Sequence, residues 1–247
     1  LAVLIDADNI PYAHVAEMLD EIAKYGLPTI KRIYADWTKP NANGWKASLL
    51  EHAIQPIQLN GYTTGKNATD SAMIIDAMDI LHSDKVDGFC LVSSDSDFTR
   101  LATRLRESGK MVIGIGEKKT PNPFIVACDK FIYIEIISGK DDEKQELNQQ
   151  SKTTKKTGKQ NPKYDAVDIK LIRLLKATVN DIVDDEGWAF LAEIGALLNK
   201  KRPDFDPRNY GFQKLTPLVK SLEKHFEVDA RSVDRKNIRH IYVRIKK

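Results

Sequence analysis

Gly88-Phe89-Cys90-Leu91-Val92-Ser93-Ser94-Asp95-Ser96-Asp97-Phe98 runs from an unbroken apolar segment straight into two acids. An apolar run of this length, with no polar alternation, reads as a strand buried on both faces, the usual state in a parallel sheet. Directly behind it, residues 96–108 place Phe98, Leu101, Ala102 and Leu105 on one face at helical spacing and stop at Gly109. The strand pattern then restarts at 111–115. Outward from this unit the alternation continues, with strands expected at 2–6, 29–35, 54–58 and 131–134. Helices are expected at 11–25, through Val15, Met18, Leu19 and Ile22, and at 67–82, through Met73, Ile74, Ala77, Met78 and Leu81. Repeated β-α units predict an α/β fold with a mostly parallel sheet.

Acids gather where these elements meet. Asp6 ends Val3-Leu4-Ile5-Asp6-Ala7-Asp8-Asn9, Asp70 ends Asn67-Ala68-Thr69-Asp70, and Asp95 and Asp97 follow the run quoted above. An unpaired buried carboxylate costs several kcal/mol, and a bound dication removes that cost. Hard cations such as Mg²⁺ and Mn²⁺ take oxygen ligands, and in an open parallel sheet ligands collect beyond the carboxyl ends of the strands. Competing roles exist for each acid. Asn67 with Asp70, and Ser94 with Asp97, also fit variants of the helix capping box. Asp8 reads as a helix-start residue or a support for the ligands, whereas Asp76 and Asp79 fall off the helical face of Asp70 and read as solvated. Asn9 can orient water, bond a phosphate or cap the helix that follows, and Ser94 is divided between capping and a phosphate or metal contact.

Gly61-Tyr62-Thr63-Thr64-Gly65-Lys66-Asn67 fails as a phosphate loop, because only three residues separate its glycines and Asn67 stands where Ser or Thr is required. Lys66 can still meet a scissile strand near Asp70 or be an ordinary loop lysine. The segment 36–46 mixes Trp37 and Trp45 with Lys39 and Lys46, which suits single-strand stacking, although Trp45 can equally be a core anchor. None of the five histidines pairs in sequence with a nucleophile, so triad chemistry is not signalled.

The 247 residues, 42% hydrophobic and 30% charged, have ordinary globular composition and length for one sizeable domain and a smaller one. Two cysteines without close spacing point to a reducing, cytoplasmic setting, with both as small core residues. No apolar run approaches the ~20 residues needed to cross a bilayer, so no membrane partner is expected. The chain opens on a strand without Met, compatible with a trimmed extension. Charge is unevenly placed: residues 1–138 carry 14 basic against 18 acidic side chains, 139–163 carry 7 against 4, and 164–247 carry 17 against 13. The middle segment has almost no large apolar residue and reads as a flexible basic linker, its lysines solvated or touching a phosphate backbone. Behind it, helices at 166–183, 191–201 and 210–225 precede strands at 226–230 and 240–245, joined by the basic loop 231–237. Three helices and a hairpin make a winged helix-turn-helix.

Leu4-Ile5-Asp6-Ala7-Asp8-Asn9, Lys66-Asn67-Ala68-Thr69-Asp70 and Ser93-Ser94-Asp95-Ser96-Asp97-Phe98 together resemble the three signature motifs of NYN domains, the PIN-like nucleases that include LabA-like proteins. The resemblance covers residues 1–138 and implies a three-layer α/β/α fold and hydrolysis of phosphodiester bonds with Mg²⁺ or Mn²⁺. It assigns Asp6, Asp70, Asp95 and Asp97 to the acidic cluster and Asn9 to the motif asparagine. Ser94 departs from the family, which often has Gly there. Residues 164–247 are similar to an OST-HTH (LOTUS) domain, through Gly187-Trp188, Asn209-Tyr210-Gly211-Phe212 and Tyr242-Val243-Arg244. That implies RNA binding, notably of G-rich RNA, and in some members protein partners or self-association. Arg208, Lys214, Arg235 and Lys236 are its candidate contacts. Pro217 falls inside the expected third helix, which must therefore start later or kink. The expected activity is endonucleolytic cleavage of single-stranded RNA. A catalytically weak RNA-binding adaptor is the alternative, and a haloacid-dehalogenase-type phosphatase, suggested by Asp6-Ala7-Asp8, is disfavoured by Asn9-Ile10-Pro11.

Overall fold

Two fully apolar strands form the centre of the first unit. β1 (Ala2–Asp6) and β4 (Gly88–Val92) are buried at every residue and pair in parallel, Ala2 opposite Phe89 and Ile5 opposite Val92. Around them lie β2 (Ile30–Ala35), β3 (Gln55–Gln58), β5 (Met111–Gly116) and β6 (Lys130–Tyr133), in the spatial order β3-β2-β1-β4-β5-β6 with every neighbour parallel. These positions come from a computed structural model that describes residues 1–8, 12–38, 44–59, 68–138, 164–233 and 238–246.

Helices α1 (Val15–Ala23), α2 (Trp45–Glu51), α3 (Ala68–Ser83), α4 (Thr99–Glu107) and α5 (Asn122–Ala127) make the crossovers, and α6 (Ile134–Ser138) follows β6. Alternation along the strands sends Leu4, Tyr34, Phe89, Leu91, Val112 and Phe131 under α3, α4 and α5. Val3, Ile5, Ile33, Cys90, Val92 and Ile113 go under α1, α2 and α6. The result is a three-layer α/β/α fold, each large side chain removed from water contributing roughly 1.5–3 kcal/mol. Both cysteines are buried and unbridged. The chain builds outward from β1 to β3, then returns through α3 to begin β4 on the other side of β1. That reversal opens a crevice at the carboxyl ends of β1 and β4.

The chain divides into two compact units, Leu1–Ser151 and Lys152–Lys247. The second contains α7 (Ile169–Asn180), β7 (Ala189–Phe190), α8 (Leu191–Lys201), α9 (Leu215–Ser221), β8 (Phe226–Val233) and β9 (Ile238–Ile245). Asp168 caps α7 by accepting from the Leu171 N–H at 2.9 Å. The three strands form an antiparallel sheet in the order β7-β9-β8, and Leu171, Leu175, Ile194, Leu198, Leu218, Phe226 and Val243 share the core. The third helix starts later than expected. A 3-10 turn, Pro207–Tyr210, ends at Gly211 in the left-handed region (φ +82°), and α9 begins only at Leu215. Pro217 thereby falls in the first turn of α9, where its missing N–H costs nothing. The hairpin strands are longer than their apolar runs, so Arg231 lies in β8 and the connecting segment shrinks to 234–237. That segment and the expected linker 139–163 lie outside the described residues. Among the described residues no helix is long and apolar enough to cross a membrane.

Candidate functional site

Asp6 is the last residue of β1 and only 1% exposed. Its carboxylate accepts from the Asp8 N–H at 3.1 Å and from the Ser93 hydroxyl at 2.9 Å. The same Ser93 oxygen accepts the Asp95 N–H at 3.1 Å. One buried hydroxyl therefore ties the ends of β1 and β4 together. Asp95 is extended and caps a 3-10 turn, Ser96–Phe98, by accepting from the Asp97 N–H at 2.9 Å. That turn runs into α4 and presents Asp97 to solvent. The end of β5 closes in beside it: a Cβ on Gly116 would sit 2.6 Å from the Ser93 carbonyl oxygen, so a side chain has no room there.

Asp70 stands in the first turn of α3, where a negative charge complements the helix dipole, and is 8% exposed. Carboxylate oxygens of Asp70, Asp95 and Asp97 lie within 4.8 Å of one another. Burial, followed by the charges of Asp6, Asp95, Asp97 and Asp8, pushes the Asp70 carboxyl up to about 6. All the donors are oxygens, several are withdrawn from water, and the neighbouring carboxylates repel the ionised form of Asp70. This donor set fits a hard divalent cation, whose charge would reverse the penalty.

The other expected residues scatter. Ser94 is buried, and its oxygen accepts the Glu117 N–H at 2.9 Å; Asp95, not Ser94, supplies the cap. Lys46 is exposed in the first turn of α2, while its neighbour Trp45 is a core residue under the sheet. Trp37 donates its indole N–H to the Ile57 carbonyl at 2.9 Å. In the second unit Lys214 is exposed ahead of α9. Arg208 is not a free surface base: Asp206 takes its Nε at 3.0 Å and a terminal nitrogen at 2.7 Å, and both side chains are largely buried. Asn9, Lys66, Arg235 and Lys236 lie outside the described residues. Asp76 is not simply solvated; it bonds Arg32 and the Tyr34 hydroxyl on β2. Ser93 is a site residue that local pattern does not single out. Its signal is a hydroxyl directly after a wholly apolar strand, two residues before Asp95.

A family model described as NYN domain matches residues 1–135, and one described as OST-HTH/LOTUS domain matches residues 162–238. No curated protein matches the chain. Among solved structures it is similar to an uncharacterized protein of Nitrosomonas europaea determined by solution NMR, at 33% identity over 40% of this chain and 91% of that one, with a TM-score of 0.31. It is also similar to the crystal structure of a protein of unknown function from Vibrio parahaemolyticus, at 21% identity over 54% and 91% of the two chains, with a TM-score of 0.44. NYN domains are PIN-like nucleases and OST-HTH/LOTUS domains bind RNA, which supports a nuclease or RNA-binding role. With its motif acids gathered at one crevice and the NYN model spanning more than half its length, the chain belongs to the NYN-domain family and carries an OST-HTH/LOTUS domain behind it.

Proposed function

We propose that the protein is a metal-dependent endoribonuclease that hydrolyses phosphodiester bonds in single-stranded RNA in the cytoplasm. The observation that carries this reading is the convergence of Asp70, Asp95 and Asp97 within 4.8 Å at the point where the strand order reverses. These three, with Asp6 behind them, would hold Mg²⁺ or Mn²⁺. Bound there, the cation supplies a water nucleophile at neutral pH and charge compensation for the leaving oxygen. The chain's own part is placement. Ser93 and the Asp8 N–H hold Asp6, and the cap on the Ser96–Phe98 turn fixes Asp95 against Asp97. Asp70 must release its proton before it can serve as a ligand, so metal uptake is coupled to pH.

Asn9 is proposed as a catalytic residue that orients water or bonds a phosphate beside the acids, Lys46, Lys66 and Ser94 as contacts to the scissile strand, and Lys214, Arg235 and Lys236 as those of the second unit. In this reading 1–138 is the nuclease domain, 139–163 a basic linker and 164–247 the RNA-recruiting domain. Tethering raises the effective RNA concentration at the acids without adding chemistry. The test is cleavage of single-stranded RNA with Mn²⁺ or Mg²⁺, comparing the wild type with Asp95→Asn. A loss of about 100-fold or more is expected. Binding of RNA without cleavage by either protein would favour the adaptor alternative, and equal cleavage by both would remove the assignment.

A further inference from the structure

Asp70 has to be held where like charges repel it. Its carboxylate lies within 4.8 Å of those of Asp95 and Asp97, and the repulsion between them falls on the first turn of α3. Behind that turn the helix keeps its place partly through Met73, Ala77 and Ile80, which pack on the sheet. A second attachment is polar. Asp76, six residues along α3, accepts from a terminal nitrogen of Arg32 and from the hydroxyl of Tyr34.

The position of these partners is informative. Tyr34 is the residue of β2 opposite Asp6 in the strand register, and the Ala7 N–H donates to its carbonyl at 3.2 Å. Its ring is fully buried on the sheet face covered by α3. Arg32 lies two residues earlier, opposite Leu4 and on the same face. Arg32, Tyr34 and Asp76 therefore join the strand pair that carries Asp6 to the helix that carries Asp70. Burial and the bond to Asp76 hold the phenol protonated, so it stays a donor. Arg32 Nε is buried without a hydrogen-bond partner, so the bond from its terminal nitrogen to Asp76 is the contact that anchors this guanidinium to α3.

We propose that Arg32, Tyr34 and Asp76 form a clamp that positions Asp70 against the repulsion of the neighbouring acids, so that the site is already assembled when a dication arrives. The inference rests on the metal-site reading above. None of the three touches the reacting groups; they act through α3, as outer partners of metal ligands do.

Titration calorimetry of the full chain with Mn²⁺ alone, well below the melting temperature, tests the clamp in Tyr34→Phe and Asp76→Asn. Each is expected to weaken Mn²⁺ binding 10- to 100-fold with an unchanged circular dichroism spectrum. The double variant should be no weaker than the worse single one, because both break the same link. Wild-type affinity in folded variants overturns the proposal. If Asp76→Asn does not fold, Tyr34→Phe, which removes one oxygen, decides alone. Should the wild type take up no Mn²⁺, the nuclease reading falls, and hydrogen exchange of metal-free Tyr34→Phe against the metal-free wild type judges the clamp. Exchange accelerated in the variant at residues 72–76 but not in α4 supports it; unchanged or uniformly changed exchange overturns it.

Discussion

Asp70 bears the electrostatic cost of the acidic crevice. Its folded value of about 6 lies above the ordinary 3.8, so the folded state favours the protonated form. Its contribution to stability is fully present below about pH 4 and is lost as pH rises through 6, costing the metal-free protein about 2 kcal/mol. Asp70→Asn should therefore raise the melting temperature of the metal-free protein at pH 7.5 and leave it nearly unchanged at pH 4, read by thermal denaturation. Mn²⁺ affinity should climb about tenfold per pH unit below 6 and level off above it, because one proton leaves as the cation binds; an affinity flat from pH 5 to 8 would contradict this. Ser93→Ala removes a buried hydroxyl shared by Asp6 and Asp95 and should cost about 1–2 kcal/mol, measured by denaturant unfolding. The four motif acids were legible because each stands at the end of an apolar run or helix start. Ser93 and the Asp76 network were not, since a hydroxyl or an acid on a helix flank acquires its role only from partners distant in the chain.

At the level of elements, apolar periodicity located every strand of the first sheet, and α1, α3 and α4, to within a few residues. It did not show α2, α5 or α6, which span seven, six and five residues and hold too few turns for a 3.6-residue period to stand out. Proline supplied a different signal. Its presence at 217 left a late helix start or a kink, and the late start is found: α9 begins two residues before it. Pro217→Ala should accordingly change stability by less than about 0.5 kcal/mol, because no hydrogen bond is regained. Gly116→Ala should be far more costly. The new methyl would meet the Ser93 carbonyl of a fully buried strand end, and a loss of about 1–3 kcal/mol by chemical denaturation is expected, with weakened Mn²⁺ binding.

Across the whole molecule, the alternation of strand and helix shows that the sheet is parallel but not where the strand order reverses. That reversal depends on which strand pairs with β1 after α3, a long-range choice that local pattern does not encode. Each unit has its own core, and charge is unevenly divided between them, acidic over 1–138 and basic over 164–247. A chain ending at residue 138 should bind Mn²⁺ within about threefold of the full chain yet need at least ~10-fold more RNA for half-maximal cleavage. Whether distant acids share one dication is decided by soaking Mn²⁺ into crystals of the full chain. An anomalous peak bonded to carboxylate oxygens of Asp70, Asp95 and Asp97 is expected. A peak elsewhere, or none while those three carboxylates are ordered around water, would contradict it.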